Sequence, residues 1–247
     1  ISGIMDESTE TEHVEQRGTP ARIVARLIGI VFEPRKTMSK VSFESGVWVP
    51  ILIISLSLII VRLVLAPEMN TRLQDPEFIT SYSQQRGITE EKAVEELEIV
   101  YSLSPYITFV ESPILVLIGT AIVSFIVLLI GKRVYKIAVP FRTLFNMVSW
   151  ASVVSAIPLL LSVPLKLINS EWDLPTNPGF LLPVDSLNPY FHQLLQTLDV
   201  FLIWEIGLIS IGMSVIYKIS LQRALSSIGT MFLIFIVLNV LVSASGL

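Results

Sequence analysis

The sequence predicts an all-α integral membrane protein: a five-transmembrane-helix bundle with an N-terminal interfacial amphipathic helix. Three observations predict it. Of the 247 residues, 52% are hydrophobic and 15% charged, whereas a soluble domain carries about 25% charged residues. The apolar residues come in blocks long enough to cross a bilayer. Lys and Arg gather in alternate connections between those blocks, so their distribution says more than the formal net charge of −4.

Residues 1–18, rich in Glu, Thr and Ser and without an apolar period, read as a disordered acidic tail. They lack the apolar core and small-residue cleavage site of a signal peptide. With Ile at position 1, further sequence upstream is expected. Residues 19–46 read as a cytoplasmic interfacial segment. Thr19 is its expected N-cap and Pro20 its first helical residue. Ile23, Leu27 and Ile30 then recur at helical spacing, with Arg22 and Arg26 one turn apart beside them. Pro34 interrupts the pattern, and the basic RKTMSK run adds Arg35, Lys36 and Lys40. These five cations are the candidates for binding lipid headgroups.

The membrane domain, 47–247, holds spans at about 47–65, 106–130, 143–168, 194–217 and 225–247. Span one has Trp48 at one interface and Arg62 within a turn of the other, where it can snorkel; Pro67 is expected to close it. Residues 67–104 form a hydrophilic insertion. Within it, Thr89 should cap a short helix whose acidic first turn suits the helix dipole. Val94, Leu97 and Tyr101 make an apolar stripe for packing on the same protein, with a cation or partner site as the alternative. Span two carries Glu111 and Pro113 in its first two turns and ends at Gly131-Lys132-Arg133. Span three contains Pro158 and Pro164, so it should kink or break near its far end. Residues 169–193 form a second insertion with four prolines and no Lys or Arg. Trp172, Phe180, Tyr190 and Phe191 suit it to the membrane surface. Lys218 and Arg223 lie in the short turn before span five.

Charge asymmetry orients the spans. Six Lys or Arg precede span one (Arg17, Arg22, Arg26, Arg35, Lys36, Lys40). The first insertion has three, among eight acidic residues; the next connections carry four, none and two. The positive-inside rule then places the N-terminus in the cytoplasm and the C-terminus outside, with both insertions extracytoplasmic.

Several ionisable groups fall inside the membrane. Arg62, Glu111, Lys166 and Asp199 lie near the outer ends of four spans, giving two cations and two anions at one depth. One reading is a charge cluster that ties the bundle, with Arg62–Glu111 as the leading pair; the other is separate snorkelling. Glu205 lies deeper, near the middle of span four. A lone ionised carboxylate there costs several kcal/mol or more, so it should be protonated, paired or facing a polar cavity. Asn239 and Ser or Thr hydroxyls are its candidate partners. Small residues four apart (Thr120 and Ser124, Ser152 and Ala156, Ser210 and Ser214, Ser226 and Thr230) mark close helix approach.

Several chemistries are excluded or disfavoured. Without cysteine there are no disulfides, thiolate metal sites or cysteine nucleophiles. His13 and His192 alone do not make a multi-histidine metal site. No HExxH, no GxSG with a deep histidine and no phosphate-binding glycine motif occurs, so no catalytic, metal or cofactor residues are assigned. The basic patches flank spans, which favours anionic lipid over nucleic acid as partner.

Three stretches, RLIGIVFEPRKTMSKV, FRTLFNMVSWASVVSAIPLLLSVPL and LDVFLIWEIGLISIGMSVIYKISLQRAL, in their order over about residues 22–247, resemble the Yip-one domain family of Ypt/Rab-interacting membrane proteins, in its bacterial form. The resemblance implies a five-helix bundle with a cytoplasmic N-terminus and no catalytic residues. Eukaryotic members bind small GTPases and carry a DLYGP-like stretch that is absent here, so GTPase binding is not carried over. Some bacterial relatives look like accessory subunits beside MacB-type ABC exporters. The expected function is thus a non-enzymatic scaffold or accessory subunit of the bacterial inner membrane. Its partners would be an ABC-type export complex, another envelope assembly or a second copy of the chain. The alternative is a small ion-coupled transporter or channel using Glu205.

Overall fold

The computed structural model describes residues 20–44, 46–72, 75–169, 195 and 199–244. They form α1 (Pro20–Phe32), α2 (Pro34–Glu44), α3 (Trp48–Arg72), α4 (Pro76–Arg86), α5 (Glu90–Ile130), α6 (Phe141–Ala151), α7 (Ala156–Asn169), α8 (Val200–Tyr217) and α9 (Leu221–Ala244). A π turn, Gly131–Tyr135, ends α5, and a 3-10 turn, Ser152–Ser155, separates α6 from α7. No strand occurs among the described residues. Five stretches there are long and apolar enough to cross a membrane: Trp48–Pro67, Tyr106–Tyr135, Phe141–Pro164, Val200–Tyr217 and Leu221–Leu238. The acidic tail, the Thr19 cap, both histidines and nearly all of the 169–193 insertion lie outside the described residues.

The first span ends at Pro67 as expected, but the helix does not stop there: α3 runs through it to Arg72. One missing donor near a helix end frees only the Leu63 carbonyl, which water or a hydroxyl can satisfy. The short helix expected in the first insertion and span two are one 41-residue helix, α5, continuous through Pro105 and Pro113. Span three breaks in its middle rather than at its far end. Pro158 has no N–H for the Val154 carbonyl and its ring crowds that group, so the preceding turn tightens to 3-10 geometry at Ser152–Ser155.

Caps set other boundaries. Asp199, in extended conformation, accepts hydrogen bonds from the Phe201 and Leu202 amides and starts α8 there. Glu205 therefore lies in the second turn of an 18-residue helix, nearer one end than a start at 194 implies. Asp75 caps α4 through the Glu77 amide, and Gly87 (φ 66) turns the chain toward α5 in a left-handed conformation that glycine adopts without strain. Thr80 and Glu90 (2.8 Å) and Arg86 and Glu96 (3.3 Å) join α4 to α5. The face of α5 buried here carries Ala93 and Leu97, with Val94 and Tyr101 half-buried.

The chain divides into two compact units. One holds α1, α2, the end of α5 from Gly119, α6, α8 and α9. In it α8 packs against α2, α6 and α9, and α2 also packs against α1 and α6. Met38, Val41, Trp150, Met213 and Ile228 are fully buried. The basic α2 thus buries one face, with Thr37, Met38, Val41 and Ser42, and leaves Arg35, Lys36, Ser39 and Lys40 exposed. Gly212 of α8 faces Met147 and Met38, where a side chain would meet both thioethers. The second unit holds α3 from Ile51, α4, α5 up to Ile118, and α7; Ile54, Ile59, Ala93 and Leu97 are buried there.

Candidate functional site

The residues that carry charge into the apolar region are resolved one by one. Glu205 of α8 accepts a hydrogen bond from Ser152 Oγ at 2.5 Å. Ser152 stands at the 3-10 turn, so the break at Pro158 positions the donor. A Ser or Thr hydroxyl is among the partners expected from the sequence, and the fold selects Ser152. The Asn239 side chain, the other candidate, lies outside the described residues, as does that of Lys166.

The charges near the span ends are arranged differently from the leading expectation. Arg62 and Glu111, both described, form no ion pair with each other. Arg62 Nε instead donates to Ser104 Oγ at 2.8 Å, and Glu111 is exposed. Asp199 serves as the α8 cap. A neutral hydroxyl satisfies the guanidinium at lower desolvation cost than a buried ion pair would.

The five N-terminal cations fall into two clefts that share Lys36. Between α1 and α2, a cleft of about 490 Å³ is lined by Arg22, Arg26, Glu33, Lys36, Thr37 and Lys40, among others. The helices approach closely at Gly29, where a side chain would strike the Thr37 hydroxyl. Arg26 stacks over the buried Trp150 ring, 5.7 Å from its centroid. Glu33 pairs with Lys36 at 2.7 Å. That hydrogen bond and charge hold the Glu33 carboxyl below its usual range. The second cleft, about 690 Å³, lies between α2 and the C-terminal end of α8 and takes Arg35, Lys36, Ser39, Ser214 and Lys218. Lys218 was not among the headgroup candidates. It caps α8 in the left-handed conformation (φ 53), and a lysine there gives no sequence signal of such a turn.

At the same end, three spans are tied by tyrosines. Tyr217 Oη donates to the Val127 carbonyl at 3.1 Å, and Tyr135 Oη bonds the Arg223 carbonyl (3.0 Å) and Ser227 Oγ (2.7 Å). Gly131 lies against the Tyr217 ring with no room for a side chain.

The four small-residue pairs divide by burial. Thr120 and Ser124, and Ser210 and Ser214, are buried, while Ser152 and Ala156 are half-buried and buried. Ser226 and Thr230 of α9 are exposed. Three pairs are spent inside the chain and one is not.

A family model described as the Yip1 domain matches residues 28–242, most of the chain. No curated protein and no solved structure matches.

Proposed function

The chain belongs to the Yip1 domain family, and from that premise we propose that this integral membrane protein is a non-enzymatic accessory subunit that binds another membrane protein. Its proposed setting is the inner membrane of a bacterium, with the N-terminus cytoplasmic, α1 at the interface and the C-terminus outside. The charge asymmetry of the connections supports that orientation. The proposed partner class is an ABC-type export complex of the MacB kind, or another envelope assembly.

The carrying observation is the face of α9. Ser226 and Thr230 sit one turn apart on the outside of the span, and Leu233, Ile234 and Val237 continue the exposed surface. Small residues let a second helix approach to backbone contact, which lipid does not require. The α4–α5 hairpin, capped by Asp75 and Gly87, gives the first insertion a folded surface for a partner outside the membrane. The hydrogen bond from Ser152 supports a packing role for Glu205 over the ion-coupled one.

The chain has no cysteine, so Ser226→Cys and Thr230→Cys each introduce a single reactive thiol. Cross-linking in native membranes should join these two positions to a different membrane polypeptide, identifiable by mass spectrometry, and Leu225→Cys much less. No adduct, or only an adduct with a second copy of this chain, would refute the accessory role.

A further inference from the structure

We propose that the cleft between α2 and the C-terminal end of α8 seats the phosphate of an anionic phospholipid from the bilayer that holds the spans. The inference concerns a ligand, not a partner protein, and stands or falls apart from the role given to α9.

Charge complementarity carries it. Arg35, Lys36 and Lys218 line the cleft and no carboxylate does; Ser39 and Ser214 add polar lining, and Val215 and Ile219 the apolar part. About 690 Å³ accommodates a headgroup. The cleft lies where a membrane span ends, at Tyr217, which is the level of lipid phosphates. Two of its cations, Arg35 and Lys36, belong to the first turn of α2, whose positive dipole end adds to them. The negative end of α8 opposes an anion, and Lys218 sits directly on that end.

The backbone at Lys218 bears on the test. Its left-handed conformation (φ 53), shared by Lys136 (φ 58) outside the cleft, strains any residue with a Cβ, and glycine would relieve that strain. A lysine at this position keeps an ammonium at the rim of the cleft at a cost to folding. Lys36 is the adjustable member. Its ammonium is 2.7 Å from Glu33, so the acid competes with the lipid for it.

The test uses the full chain in micelles of a neutral detergent. Phosphatidylglycerol, phosphatidylcholine and inorganic phosphate are added separately, and binding is read by native mass spectrometry and by unfolding temperature. One phosphatidylglycerol per chain should be retained. Lys218→Gly should weaken it about fivefold while the lipid-free unfolding temperature holds or rises, a combination that simple misfolding does not give. Arg35→Gln should weaken it similarly, and Glu33→Gln should tighten it by freeing Lys36. Lys132→Gln and Arg133→Gln remove exposed charges outside the cleft and should change little. Equal losses in those two variants would reduce the effect to diffuse surface charge and overturn the seat. Equal binding of phosphatidylcholine would overturn the requirement for an anionic headgroup. Inorganic phosphate binding as tightly as the lipid would overturn the membrane source.

Discussion

Replacing Gly131 by alanine tests how the spans are tied at their tyrosine end. A Cβ at this position lands on Cζ, Cε1 and Oη of Tyr217. An aromatic ring held by its own hydrogen bond to the Val127 carbonyl cannot yield as a flexible chain does. Overpacking costs about 1–3 kcal/mol, and displacing the ring forfeits a hydrogen bond of about 1 kcal/mol. Alanine recovers about 0.5–1 kcal/mol of backbone entropy in a helical turn. The net expectation is a loss of about 2 kcal/mol. In a Tyr217→Leu background the struck ring atoms are gone, so the same substitution should become neutral or stabilising. The assay is equilibrium unfolding of all four proteins in mixed micelles, followed by circular dichroism. Equal costs of Gly131→Ala in both backgrounds would mean no coupling and would refute the steric reasoning.

Ser152→Ala should lower stability by about 1–2 kcal/mol, because the Glu205 carboxyl loses its donor inside the membrane. In a Glu205→Leu background the cost should vanish; a persistent cost would trace it to the 3-10 turn instead. Asp199→Ala should cost about 1 kcal/mol and Asp199→Asn much less, read by the same unfolding assay, since the side chain caps α8. A loss from Asp199→Asn as large as from alanine would show that charge, not capping, matters. Arg62→Ala should cost no less in a Glu111→Ala background than alone, because Arg62 bonds Ser104. A strong coupling between the two would contradict the geometry.

The five spans were legible because a run of about 18 apolar residues has few other uses. The helix ends were harder to read than the spans. Pro67 closes the first apolar run yet lies within a helix, and α5 starts at Glu90 and runs through Pro105 and Pro113 into span two; a proline frees one carbonyl, and whether that breaks a helix depends on what can satisfy it. The role of α2 was hidden for another reason. PRKTMSKVSFE is polar overall, and its buried stripe of Thr37, Met38, Val41 and Ser42 is short and half hydroxylic. Glu205 was conspicuous in sequence as a deep carboxylate, but Ser152 was one of many hydroxyls until the fold brought α6 and α8 together. The headgroup candidates Arg22, Arg26, Lys36 and Lys40 do meet in one cleft. Lys218, placed by the sequence only in a connecting turn, shares the second cleft with Arg35 and Lys36, a contact between distant segments that no local pattern announces.

The tyrosine ties also set a timetable for biosynthesis. Tyr135 and Ser227 are 92 residues apart, and ribosomes add about 5–20 residues per second. The end of the second span therefore waits on the order of 5–20 s for its permanent partner to be made. Through that interval the phenol must borrow a substitute from water, a headgroup or the insertion machinery, so a chain halted before Ser227 should be far more exposed to membrane quality-control proteases than one halted just after it.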